Sequence, residues 1–135
     1  MYIVGVGTEL VECVRVRKMI DQHGEQFLKR AFTGKEIGFC QGRRHTTEQF
    51  AACWAAKHAV RKALGDAVRK DVSWSEIEVC PDEAGQPRVT VRGATRDLAK
   101  GLNVNGILIS MSHTRNYAVA FATAVADEPG EEAKV

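Results

Sequence analysis

His58 and Lys62 stand one helical turn apart in the run from Phe50 to Gly65, a stretch of strong helix formers. An imidazole and an ammonium therefore share one helix face with Ala51, Trp54 and Ala55, and Gly65 lies just beyond it. Small residues beside these groups leave room for a phosphorylated ligand, and a lysine amine there can pair with phosphate oxygens. The same spacing equally suits a buried tryptophan with ordinary solvent-facing His and Lys, so the pattern alone favours neither reading. A carboxylate stands in the other informative segment, the β-rich run from Tyr2 to Val11. Alternation puts Gly5, Gly7 and Glu9 on one side and Val4, Val6 and Leu10 on the other, so a ligand or another backbone can approach the glycines closely. Gly5-Val6-Gly7 is not a dinucleotide loop, because Leu10 occupies the place of the third glycine.

These groups must be positioned by a single domain. A chain of 135 residues, 44% hydrophobic and 27% charged with a net charge of +2, can bury one core and has no need of nucleic acid. Basic residues cluster locally, at Arg15, Arg17 and Lys18, at Lys29 and Arg30, at Arg43 and Arg44, at Lys57, Arg61 and Lys62, and at Arg69 and Lys70. Each cluster reads first as solvated surface, with an acidic partner or phosphates as the alternative. Cys13, Cys40, Cys53 and Cys80 are too widely spaced for a CxxC pattern and are expected as reduced, buried thiols. The sequence has no signal-like segment or membrane-length apolar run, which predicts a cytoplasmic protein.

The pattern predicts helices over residues 12–23, ending at Gly24, and 25–30. Thr33 and Glu36 form a capping box, and Thr46 or Thr47 caps a long helix through Leu64. Strands follow at 77–79 and 88–91, flanking a Pro- and Gly-containing turn, then a short helix at 94–100. Strands at 106–112 and 117–125 are joined by a turn at 113–116. The fold class is α+β, a long helix packed on an antiparallel sheet of the first and C-terminal strands. Residues 1–125 form the domain, and 126–135 an acidic tail that frays.

Taken in order, these segments resemble holo-acyl-carrier-protein synthase, the small bacterial 4′-phosphopantetheinyl transferase. The resemblance rests on Ile3 to Glu12, Phe27 to Thr33 with Glu36, Phe50 to Ala52, and Trp54 to Lys57 with Lys62 to Gly65. It continues through Ile77 to Val79, Gly85 to Val89, Gly93-Ala94 and Ser110 to Thr114. What it implies is the 4′-phosphopantetheinyl transferase fold and transfer of the phosphopantetheine arm from coenzyme A to a serine of an apo acyl carrier protein. It also implies a magnesium cofactor and a homotrimer with active sites between subunits. On this chain it places the metal at Glu9 and His58, and catalysis at Glu9, His58 and Lys62. Coenzyme A falls at Lys62, Gly65, Pro87 and His113, and the carrier protein at Arg15 and Lys18.

The chain also departs from this family. Members usually carry Asp at the position of Glu9, Glu at that of His58, Arg at that of Cys53, and Gly-x-Gly where Gly65-Asp66-Ala67 stands. An imidazole in place of a carboxylate suits magnesium poorly, which leaves manganese or no metal as alternatives. A histidine ligand with an ordinary pKa would be lost below about pH 6. Two readings follow: a transferase with an altered metal site, or a paralogue that keeps the fold and binds coenzyme A or the carrier without transfer, or acts on a carrier-bound substrate.

Overall fold

The computed structural model describes residues 1–65 and 73–127. Its elements run β1 (Tyr2–Glu12), α1 (Cys13–His23), α2 (Glu25–Ala31), α3 (Gly34–Gln41) and α4 (Thr46–Leu64), then a 3-10 turn (Trp74–Glu76). The hairpin β2 (Ile77–Pro81) and β3 (Pro87–Val91), α5 (Gly93–Gly101), β4 (Gly106–His113) and β5 (Tyr117–Ala126) complete the chain. The expected α+β fold is observed, with β1, β5 and β4 forming an antiparallel sheet in the order β1-β5-β4.

Small residues explain how α4 sits on this sheet. A Cβ on Gly5 would collide with the Ala63 carbonyl oxygen, and one on Gly7 with the Ala59 carbonyl oxygen. On β5 the buried partners are Ala118, Ala120, Ala122 and Ala124, met from the helix by Ala51, Ala52, Ala55, Ala56, Ala59 and Ala63. Two backbones thus approach almost to contact, a spacing that glycine on β1 and alanine on α4 and β5 permit and a larger side chain would prevent.

The other face of the sheet is uncovered. Val6, Leu10, Leu108 and Phe121 are 67%, 63%, 56% and 57% exposed, and the strand register sets them on that one face. The apolar side of the N-terminal alternation is therefore turned to solvent in the isolated chain.

On its remaining sides α4 is wrapped by the short helices. Phe27, Phe32, Phe50 and Trp54 form an aromatic cluster with ring centroids 5.0–5.9 Å apart. The capping box at α3 is present: Glu36 N donates to Thr33 Oγ1 at 3.2 Å, and Thr33 N donates to Glu36 Oε1 at 2.7 Å. The cap of α4 differs from expectation. His45 occupies the N-cap position without a side-chain cap, and the Thr46 hydroxyl instead donates back to Arg43 O at 3.0 Å. Lys57, grouped in the sequence with surface cations, is wholly buried against Glu36. All four cysteines are free and buried. β5 runs to Ala126, paired with Tyr2, one residue beyond the expected domain boundary. Residues 128–135 of the expected tail, the Asp66-Ala67 departure and the Arg69-Lys70 pair lie outside the described residues.

Candidate active site

Glu9 follows Gly5 and Gly7 along the helix-facing side of β1, which brings its carboxylate onto the last turns of α4. Glu9 Oε2 stands 3.5 Å from His58 Nδ1, and Oε1 stands 3.4 Å from Lys62 Nζ. The Lys62 ammonium also donates to the Thr8 carbonyl oxygen at 3.0 Å. Strand alternation and helical spacing thus converge, and the three residues expected to be catalytic form one cluster. It remains accessible, with the Glu9 side chain 26% and that of Lys62 36% exposed.

The His58 imidazole packs against two indoles that also meet each other, their ring centroids 4.8 Å apart. Its ring centroid is 4.4 Å from Trp54, edge to face, and 4.4 Å from Trp74. Nε2 is buried and has no hydrogen-bond partner among the described residues. Burial is the main cause that lowers the His58 pKa to about 4; the Arg61 and Lys62 charges push the same way, and Glu9 opposes them. The imidazole is therefore neutral at neutral pH, and its proton gain lies well below the pH 6 expected from the sequence.

Trp74 is the residue that sequence reasoning missed. It precedes a strand in a segment without helical period, so nothing in the pattern set it against His58. Glu76 anchors the turn that carries it. The Glu76 carboxylate accepts from the Thr95 hydroxyl at 2.8 Å and from the Thr95 and Ala94 amides at 3.2 and 3.3 Å. The Arg61 guanidinium lies over the outer indole, 4.6 Å from its centroid.

Glu9 and His58 do not by themselves compose a magnesium site. No group of three His, Cys, Asp or Glu residues among the described residues is arranged to hold a metal. The cluster offers one hard carboxylate, and the Lys62 ammonium stands at one of its oxygens. A ligating histidine normally donates its second ring N–H to an oxygen acceptor, and Nε2 has none.

The other expected site residues spread around this centre. Gly65 adopts φ 93°, a conformation that favours glycine, and its N–H donates to Lys62 O at 3.1 Å. It stands at the carboxyl end of α4, where the helix dipole is negative, so Lys62 and not the helix end supplies attraction for phosphate. Arg15 joins Glu9, His58, Trp54, Met19 and Tyr117 around a cleft of about 350 Å³. Lys18 is exposed on α1. Pro87 and His113 line two other clefts: Pro87 with Cys53, Gln49, Phe39 and Met111, and His113 with His45, Glu48, Thr114 and Arg115.

Cys53, the third departure, belongs to a different cluster. Its thiol donates to Glu36 Oε2 at 3.4 Å and is pushed well up by a hydrogen bond with Cys40, by burial and by the Glu36 charge.

Comparison with known proteins defines the class. Residues 5–122 match the 4′-phosphopantetheinyl transferase superfamily, and the chain belongs to that superfamily. Within it the similarity is to holo-[acyl-carrier-protein] synthases. The protein of that name from Rhodopirellula baltica is 44% identical over 90% of this chain and 96% of its own length. The structure of the synthase from Neisseria meningitidis superposes with a TM-score of 0.83 at 27% identity, covering 91% of this chain and 98% of that one. The synthase from Bacillus anthracis, solved in complex with coenzyme A (3′,5′-ADP), superposes with a TM-score of 0.76 at 30% identity, covering 94% of this chain and all of that one.

Proposed function

We infer that the protein transfers the 4′-phosphopantetheine group from coenzyme A to a serine of an apo acyl carrier protein. The observation that carries this reading is the open Glu9, His58 and Lys62 cluster at the joint of β1 and α4, in a chain of this superfamily. The Lys62 ammonium sits where it can neutralise charge that develops on a diphosphate under attack. The serine hydroxyl oxygen attacks the phosphorus that bears the pantetheine arm, and its proton passes to the Glu9 carboxylate. The bridging P–O bond breaks towards the nucleotide, and adenosine 3′,5′-bisphosphate leaves.

Arg15, at the rim of the cleft, and Lys18, on the same exposed helix, supply positive charge to an acidic carrier protein. Pro87 and His113 take the nucleotide end of coenzyme A. They line clefts separate from that of Glu9, which supports a site completed by a neighbouring copy. A homotrimer follows, closed through the uncovered sheet face that carries Val6, Leu10, Leu108 and Phe121. Among the described residues no helix is long and apolar enough to cross a membrane, in keeping with cytoplasmic action on soluble substrates.

The decisive measurement is mass spectrometry of an apo carrier protein incubated with the protein and coenzyme A. The expected outcome is a gain equal to the phosphopantetheine arm. The second reading, a paralogue that binds without transfer, is favoured by the lack of a metal-type donor set around His58. Binding of coenzyme A with no mass gain would select it. For the assembly, light scattering at micromolar concentration is expected to give three times the chain mass, and a monomer would overturn the shared site.

A further inference from the structure

The charges around Glu9 differ from those of a site built to recruit a divalent cation. Glu9 brings one carboxylate and the His58 imidazole supplies no second one, while the Lys62 ammonium stands 3.4 Å from Oε1. The Arg61 side chain begins one residue before Lys62 and carries a further positive charge above Trp74. Such a cluster attracts an anion without help. A divalent ion that joined Glu9 to a substrate phosphate would meet a carboxylate whose Oε1 already faces an ammonium at 3.4 Å, against like charge. The imidazole cannot readily take the place of a second ligand. It packs against the touching indoles of Trp54 and Trp74, and among the described residues its buried Nε2 has no acceptor to which a metal-bound tautomer would donate.

We propose that Lys62 holds the diphosphate of coenzyme A directly, and that no divalent cation bridges Glu9 and His58 in the bound state. The proposal rests on the phosphopantetheinyl transfer reading and deepens it. Lys62 has the reach for this, since it is 36% exposed and, among the described residues, anchored by the Thr8 carbonyl and Glu9. An anion that arrives at the ammonium loosens its hold on Glu9 and frees the carboxylate for the serine proton. The two indoles then act as a wall behind His58. A lysine clamp of this kind also explains how the His58 position tolerates an uncharged group: nothing there has to balance a metal.

Titration calorimetry on the whole protein tests this, with coenzyme A in EDTA and then in millimolar Mg²⁺ or Mn²⁺. The expected result is an affinity that changes by less than about threefold among the three conditions, with salt weakening all three alike. Tightening by about tenfold or more on addition of either metal would overturn the proposal and leave the transferase reading standing. Absence of binding in every condition would overturn both. His58→Glu supplies a second carboxylate and is expected to weaken binding in EDTA, and Mg²⁺ should then restore it by about tenfold. A His58→Glu protein, folded by circular dichroism, whose affinity stays as indifferent to Mg²⁺ as the parent's would overturn the idea that charge at this position decides metal use. If the variant fails to fold, the native protein alone decides.

Discussion

Glu36 and Lys57 meet at 2.6 Å with neither side chain exposed, whereas Glu9 stands 3.4 Å from Lys62 and 3.5 Å from His58 in an open cleft. Lys57 and His58 are consecutive on α4, so one helix carries both carboxylate clusters on different sides. The Glu36 carboxylate is fully occupied: besides Lys57 it accepts from Thr33 N at 2.7 Å, Val79 N at 2.8 Å and the Cys53 thiol at 3.4 Å. These contacts tie α3, α4 and β2 together. At Glu9 the contacts are long, the lysine is shared with a backbone carbonyl, and one imidazole nitrogen lacks a partner. A buried charge cluster survives only when every member is satisfied. Open, incompletely satisfied polar groups are what a ligand can still engage, and they make the second cluster the candidate site.

Breaking the first cluster should have the largest effect. Lys57→Ala leaves Glu36 buried without its cation and is expected to cost about 3–5 kcal/mol in urea unfolding. A loss under about 1 kcal/mol would show that the pair is dispensable and the contrast mistaken.

Acid should act next, and on the second cluster. The folded His58 pKa of about 4 lies below the ordinary 6.5, so between these values the unfolded chain binds a proton that the folded chain refuses. Stability conferred by the neutral imidazole is complete above about pH 6.5 and declines as pH falls towards 4, by on the order of 3 kcal/mol. Facing His58 are Glu9 from β1 and Arg61 and Lys62 from its own helix; Trp54 and Trp74 carry no charge. Chemical denaturation from pH 7 to 4 should show this slope in the parent and a shallower one in His58→Gln. Equal slopes would mean that the indoles do not exclude the charged form.

The smallest change in stability is expected for Lys62→Ala, within about 1 kcal/mol, because its ion pair is partly solvated. The same variant should lose about 1–3 kcal/mol of coenzyme A affinity by calorimetry. The reverse result, a large loss of stability with unchanged affinity, would make Lys62 a structural residue and merge the two regions.

Much of this was legible before any coordinates. The spacing of His58 and Lys62, the glycine alternation that leads to Glu9, and the Thr33 and Glu36 capping box depend on residues close in the chain, and the structure retains each of them. Helix and strand boundaries fell within a residue or two for the same reason, since caps, turns and periodicity are local signals. Errors appeared where distance along the chain mattered. Lys57 resembled its neighbours Arg61 and Lys62 as a surface cation, and nothing local distinguishes it from them. Its burial is decided by Glu36, 21 positions earlier. Trp74 is set against His58 by its packing on Trp54 and Arg61 and by Glu76, which ties its turn to α5.

By itself the sequence determined the order of helices and strands and which titratable side chains share a face, because these follow from residue type and short-range spacing, and its ordered motifs carried the resemblance to the superfamily. Tertiary structure alone decided the protonation state of His58, the satisfaction of Glu36 and the position of the ammonium beside Glu9. Desolvation and electrostatic energy depend on which groups from distant segments surround a charge, and that enclosure exists only once β1, α4 and the Trp74 turn have packed.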